Sequence, residues 1–243
     1  MSGIFVGAAE IGSIFVGSDA IAEAYLGSTK VFPAGAPPVS STWDPARKGA
    51  GVVLSNGNLT AQCNIGIGGG NGERVAGTLS RDVTTAAHGF QLRPTTIGQF
   101  YSIGLARTDA DETDGGPLGT QAGEIGFYNF NGFFFYDLSG SSGSGFQSSG
   151  SATPGYPGFG VGDHPFCYVE AGSVWFGEAT LGWWDVTSGS YKSSKAAATP
   201  FITGLTGSWA PANSNGFAGA TSEGDAEFGT FSFGLPAGGS VWG

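Results

Sequence analysis

The densest charge in the chain is Asp109-Ala110-Asp111-Glu112-Thr113-Asp114-Gly115-Gly116. Hard cations take several carboxylate oxygens from a sharply turning loop, and Asp109, Asp111 and Asp114 offer such oxygens. An EF-hand loop beginning at Asp109 needs Glu at position 120, where Thr120 stands, so the expectation is a solvated acidic loop rather than a metal site. His88 and His164 are the two imidazoles. Both sit in loop-like sequence, and no Gly-x-Ser-x-Gly elbow frames a nucleophile for either, so they read as turn or surface histidines. Glu170, Glu178 and Asp185 could form an acid/base pair only across a cleft, a geometry that spacing alone does not specify. Trp183-Trp184 is a different kind of candidate: neighbours on a strand point to opposite faces, and an outward indole can stack on a sugar. The alternative is that both pack against loops or a neighbouring subunit. Gly68-Gly69-Gly70-Asn71-Gly72 lacks the Lys-Ser/Thr pair of a phosphate loop and reads as a plain flexible turn.

Whatever positions these residues is built from an unusual alphabet. Of 243 residues, 46 are Gly and 12 are Pro, while charged residues make up 12% and aromatics 13%. That aromatic content supplies a core and separates the chain from disordered sequences. Nine basic against 19 acidic residues leave a net charge of −10, which repels phosphate backbones and argues against nucleic-acid binding. No apolar run approaches the ~20 residues of a membrane-spanning helix, so no membrane insertion is expected. The N-terminus has no basic residue ahead of its apolar stretch and does not read as a secretory signal. Cys63 and Cys167 are too few for a disulfide scaffold; by count they could pair or stay reduced.

The first 33 residues repeat at a step of ten: Ile4-Phe5-Val6-Gly7, Ile14-Phe15-Val16-Gly17, Ala24-Tyr25-Leu26-Gly27, with Ile11, Ile21 and Val31 four residues after each Gly. A unit this short cannot bury its own apolar side and must stack on its neighbours or on another chain. Phe5, Ile11, Phe15, Ile21, Tyr25 and Val31 are therefore the expected docking residues of a separate segment, 1–33. The stiff Pro33-Ala34-Gly35-Ala36-Pro37-Pro38 then opens a linker, 34–42. The alternative is a plain edge hairpin of the main domain.

From 43 to 243 short apolar or alternating runs are separated by Gly, Ser, Asn and Asp. Asn56-Gly57 and Asn131-Gly132 predict hairpins, and Ala171-Gly172 a further tight turn. Gln99 to Ala106 reads as a buried strand, Ser139 to Gly160 as a long surface loop, and Glu227 to Phe233 as a half-buried strand. The expected fold class is all-β, a sandwich or barrel of antiparallel strands.

Val53-Leu54-Ser55-Asn56-Gly57-Asn58-Leu59-Thr60-Ala61 resembles the opening strand pair of SPRY-type (B30.2-like) domains in bacteriophage tail proteins. Gly160-Val161-Gly162-Asp163, Cys167-Tyr168-Val169 and Gly172-Ser173-Val174-Trp175-Phe176-Gly177 are similar to the strands carrying that family's aromatic signature. Thr199 to Gly207 and Phe228 to Gly238 resemble its closing segments, and the ten-residue repeat is similar to N-terminal segments of phage minor tail and virion proteins. The chain departs from the pattern where the family often has Asn-Gly-x-Trp: here Glu178-Ala179-Thr180-Leu181-Gly182-Trp183-Trp184 stands.

The resemblance implies a bent two-sheet antiparallel sandwich over 43–243 and binding through its loops, with no catalytic residues and no cofactor. It implies a virion structural protein assembled in the host cytoplasm, with Cys63 and Cys167 reduced. The leading expectation is a tail-fibre or receptor-binding module docked by its N-terminal segment. Its partners would be other virion proteins, further copies of itself, and a host surface glycan or protein, with Trp183 and Trp184 as ligand contacts. The alternatives are a head decoration protein, a free glycan- or protein-binding module, and a polysaccharide-degrading tail enzyme.

Overall fold

The computed structural model describes residues 15–16, 19–20, 24–26, 29–32, 41–64, 72–85, 87–98, 101–113, 118–129, 134–137, 147–149, 158–216 and 221–243. The chain divides into two compact units, Met1–Val39 and Ser40–Gly243. In the first, β1 (Phe15–Val16) pairs with β2 (Asp19–Ala20), and β3 (Ala24–Leu26) pairs with β4 (Thr29–Phe32). The registers Val16↔Asp19 and Leu26↔Thr29 leave two residues between the strands of each of these pairs.

The second unit runs β5 (Trp43–Lys48), β6 (Val52–Ser55), β7 (Thr60–Asn64), β8 (Gly72–Gly77), β9 (Arg81–Asp82), β10 (Ala87–Thr96) and β11 (Tyr101–Arg107). It continues with β12 (Glu124–Tyr128), β13 (Phe134–Asp137), β14 (Gln147–Ser149), β15 (Pro165–Glu170), β16 (Ser173–Glu178) and β17 (Gly182–Asp185). It ends with β18 (Ser190–Lys192), β19 (Ser208–Gly216), β20 (Thr221–Glu227) and β21 (Ser240–Val241). Among the described residues these form two sheets. One, the β10 sheet, runs β18-β17-β16-β15-β10-β20-β7-β6, with β21 added beside β10. The other, the β11 sheet, runs β14-β13-β12-β11-β19-β8-β5, with β9 beside β19. All pairings are antiparallel except the short β10–β21 contact. The fold is an all-β, two-sheet antiparallel sandwich.

Period-two alternation builds its middle layer. Phe90, Leu92, Cys167, Val169, Val174 and Phe176 from one sheet meet Ile103, Leu105, Ile125, Phe127 and Trp209 from the other. The Phe127 and Phe176 rings stack across the layer with centroids 5.0 Å apart. Cys63 and Cys167 both remain thiols and both are buried there. Burial holds the Cys167 thiol well above its ordinary pKa.

The turn signals act as their chemistry dictates. Asn56, Gly57 and Asn58 take positive φ between β6 and β7, and Ala171 and Gly172 do so between β15 and β16. The turn at Asn131-Gly132 lies outside the described residues, but the strands it joins, β12 and β13, pair from Glu124↔Asp137 to Phe127↔Phe134. Three expectations need correction. Within the stretch read as pure loop, β14 pairs with β13, because a strand edge needs only a neighbour's backbone donors and acceptors, which Gly/Ser sequence supplies. His88 lies inside β10 rather than in a loop. The alternating run Glu227 to Phe233 is a strand only to Glu227: from residue 228 the chain leaves the sheet and crosses the outer face, with Phe231 and Phe233 packed on it.

Candidate functional site

Each sheet has an outer face, and on each a segment of the chain lies over part of that face. On the β11 sheet the cover is the β11–β12 connection, described at 108–113 and 118–123. Leu118 drops among Ala76, Ala106 and Ala212. Gly104 and Gly126 line the same pit: a Cβ at Gly126 would stand 2.5 Å from the Leu118 carbonyl oxygen. Leu118 N–H donates to Ser214 Oγ (2.9 Å), and the Tyr128 hydroxyl donates to the Leu118 carbonyl (2.6 Å).

Beside this pit lies an ionic cluster, buried except for Arg47. Arg74 Nη1 meets Glu124 Oε1 at 2.6 Å, both side chains excluded from solvent. Arg47 Nη2 reaches Glu112 Oε1 at 3.2 Å and also donates to the Arg107 carbonyl. Glu124 Oε2 accepts the N–H groups of Gly119 and Gln121. Burial, opposed by Arg74 but reinforced by Glu112, pushes the Glu124 carboxyl up to about 8. Burial also raises Glu112, against the pull of Arg47 and Arg74.

The acidic run is therefore not one group of ligands. Glu112 turns inward to the arginines. Asp109 pairs with Arg107, which with hydrogen bonding holds its carboxyl below the usual range. Asp111 Oδ1 accepts the N–H and the hydroxyl of Thr113. Asp114 lies outside the described residues. Among the described residues no group of three or more His, Cys, Asp and Glu side chains has the arrangement to hold a metal ion.

On the β10 sheet the cover is the C-terminal segment 228–243. Strand alternation holds at the tryptophan pair: Trp184 faces the middle layer and Trp183 faces outward. The outward indole is only 2% exposed, because Phe233 packs edge-on against it (6.0 Å) and Phe166 and Tyr168 flank it at 4.9 and 5.4 Å. Phe233 stacks on Phe166, and Phe231 tilts against the same ring at 5.0 Å. The Lys195 ammonium lies over the Tyr168 and Trp175 rings and pairs with Glu170. Trp242 plugs back into the middle layer, its Nε1 donating to the Leu79 carbonyl at 2.9 Å.

The remaining candidates are tied into local structure. Glu178 accepts the N–H groups of His164, Thr180 and Leu181 and so shapes the β16–β17 turn. Asp185 accepts from Ser188, Thr187 and Thr199, led by the Ser188 hydroxyl, which holds its carboxyl far below the usual range. His164 Nδ1 lies 2.9 Å from Glu227 Oε2. Ser240 Oγ meets His88 Nδ1 at 2.5 Å, but burial and the nearby Arg81 lower the His88 pKa, which disfavours the imidazolium a Ser–His relay must form. Of the expected docking residues, Phe15, Tyr25 and Val31 fall in β1, β3 and β4, while Phe5, Ile11 and Ile21 lie outside the described residues.

Sequence reasoning missed the most exposed large apolar side chains among the described residues: Val53, Val161 and Leu181. Two of them share one end of the β10 sheet. Gly162 N–H donates to the Pro94 carbonyl and Ala179 N–H to the His164 carbonyl, which ties both turns to the end of the sheet where β15 begins. The signal was local: an apolar residue between two glycines, and another at a turn that Glu178 caps.

No protein-family pattern and no curated protein matches the chain. Solved structures do. The SPRY domain of human HERC1 superposes with a TM-score of 0.50 at 12% identity, over 76% of this chain and 96% of that domain. A human SPRY domain gives 0.47 at 12% identity over 74% and 97%, and the TRIM65 PSpry domain gives 0.46 at 12% over 76% and 90%. At such identity the likeness is one of fold: residues 40–243 make a SPRY-like β-sandwich.

Proposed function

We propose that the chain is a bacteriophage virion structural protein, a tail-fibre or receptor-binding module docked on the particle by residues 1–33. The observation that carries this reading is the contrast between the two units. The sandwich has a complete aromatic middle layer, whereas the decapeptides form hairpins of two to four residues per strand. A lone two-stranded hairpin is marginal in water, so apolar repeats of this size gain stability from a larger surface. Phe5, Ile11, Phe15, Ile21, Tyr25 and Val31 are the residues that would bury there.

The sandwich then faces outward and binds rather than reacts. The carboxylates and histidines weighed for chemistry are engaged in turns and side-chain pairs, while Val161 and Leu181 stand open on turns at one end of the β10 sheet. A host surface glycan or protein is the expected ligand of that end, and several copies on one particle would add weak contacts into firm adhesion. The test is to delete residues 1–33 and quantify the protein in purified particles by mass spectrometry. Loss of incorporation, with an unchanged near-ultraviolet spectrum, supports docking; normal incorporation overturns it. Immunogold labelling of the full chain on the head instead of the tail would make it a decoration protein.

A further inference from the structure

The β15–β16 hairpin turns Tyr168 and Trp175 outward as a directly paired couple, with Glu170 two residues further along the same face. The two ring centroids stand 6.3 Å apart with their planes tilted by 54°. Two electron-rich faces beside a carboxylate make a cage for a cation. The cage is filled from within the chain. Lys195 opens the short 3-10 turn Lys195–Ala197, and its ammonium lies 5.4 Å from the Tyr168 centroid, 5.0 Å from that of Trp175, and pairs with Glu170. Trp175 Nε1 donates to the Ala198 carbonyl at 3.0 Å, which fixes the backbone from which Lys195 reaches over. We propose that Tyr168, Trp175 and Glu170 form a binding site for a quaternary ammonium group of the choline type, held shut by Lys195 until such a group displaces it.

Chemistry separates the resident cation from the incoming one. A lysine ammonium is compact and strongly hydrated, with three N–H donors that a ring face serves poorly. Burial lowers the Lys195 pKa, so residence in the cage costs this ammonium part of its hydration. A trimethylammonium group has no N–H to satisfy, spreads its charge over its methyl groups and gains most from aromatic faces. The exchange needs little movement. The Lys195 side chain is 19% exposed, and its neighbours Ser193, Ser194, Ala196 and Ala197 are exposed as well. Alongside runs a cleft of about 490 Å³ between 193–196 and 233–236, into which the lysine stem can turn. The chain's net charge of −10 draws cations toward it. Glu170 ends β15, whereas the Val161 and Leu181 turns lie where β15 begins, so this site is separate from that end of the sheet and stands or falls without it.

The test uses the full chain and choline chloride, with sodium chloride at equal concentration and dimethylbutanol, the neutral carbon isostere of choline, as controls. NMR follows the Trp175 indole N–H and the Lys195 ε-methylene, whose protons should resonate upfield of an ordinary lysine because they lie over two ring faces. Choline should shift the Trp175 signal saturably in the millimolar range and return the Lys195 signal to its ordinary position. Lys195→Ala removes the plug and should tighten choline about tenfold, the factor that follows if Lys195 fills the cage about nine-tenths of the time. In that background Glu170→Gln should weaken choline several-fold. The proposal is overturned if choline acts no differently from sodium chloride, or if the isostere shifts Trp175 as much. It is also overturned if K195A fails to tighten binding, or if K195A alone binds, which would leave the cage a structural clasp for Lys195. Phosphatidylcholine vesicles distinguish the source of the group. Co-sedimentation that free choline competes away assigns a lipid headgroup, and choline binding without co-sedimentation assigns a soluble or glycan-borne group; either supports the site. Should K195A not fold, the comparison of choline with its isostere on the wild type decides alone.

Discussion

The two covered faces of the sandwich solve one problem with opposite chemistry. The β11 sheet turns out small residues, Gly104, Gly126, Ala76, Ala106 and Ala212, and its cover is pinned by buried ions and hydrogen bonds around a single leucine. The β10 sheet turns out Phe166, Tyr168 and Trp183, and its cover answers with Phe231, Phe233 and Leu235. Ionic pinning is directional and sensitive to each partner, because a buried charge that loses its counter-ion has no water to turn to. Aromatic packing is spread over many contacts and indifferent to pH, and each ring pair adds about 0.5–1.5 kcal/mol beyond its buried area.

That contrast can be broken from the ionic side most sharply. Arg74→Met leaves Glu124 buried without its guanidinium and should cost about 3–5 kcal/mol in urea unfolding at pH 7. That loss should be the same at pH 5 and 7 and grow above pH 8, where the wild-type Glu124 gives up its proton and the variant, without Arg74, still resists; a loss that stays flat to pH 9 would mean that packing, not charge, holds this cover. On the aromatic side Trp183→Ala should cost about 3–5 kcal/mol by the same measurement, with no difference between pH 5 and 8. Gly126→Ala intrudes on the Leu118 carbonyl and should cost about 1–3 kcal/mol. Its effect should appear as lost hydrogen-exchange protection at Leu118 and Gly119, with none at Trp183. Arg93→Ala should be the mildest. Its pairing with Asp225 is at the open, polar part of the β10 face, where the Arg93 side chain is half exposed, so a change within about 1 kcal/mol is expected.

Much of the sandwich was legible because its signals are short-range. Asn56-Gly57 and Ala171-Gly172 mark their turns by the φ they tolerate, and period-two alternation put Trp183 and Trp184 on opposite faces. The covers were not legible, because what they meet lies far away in sequence. Phe231 and Phe233 alternate as a strand would, and only the presence of Phe166, some sixty residues earlier, makes a crossing segment the better burial. Glu112 sits in a run that reads as wet carboxylates. Its inward turn depends on Arg47 and Arg74, neither near it in the chain. That one indole of Trp183-Trp184 points outward was legible, but an outer face is solvent only where nothing lies across it. Val161 and Leu181 went unmarked because single apolar residues in turns are common.

The two thiols of the middle layer have a practical consequence. Cys63 and Cys167 sit on the inner sides of strands of the same sheet, with no measurable exposure. A bulky thiol reagent can reach them only while the sheets are parted. Their alkylation rate is thus a stopwatch for breathing of the whole sandwich, and it should tick independently of anything that happens to either cover.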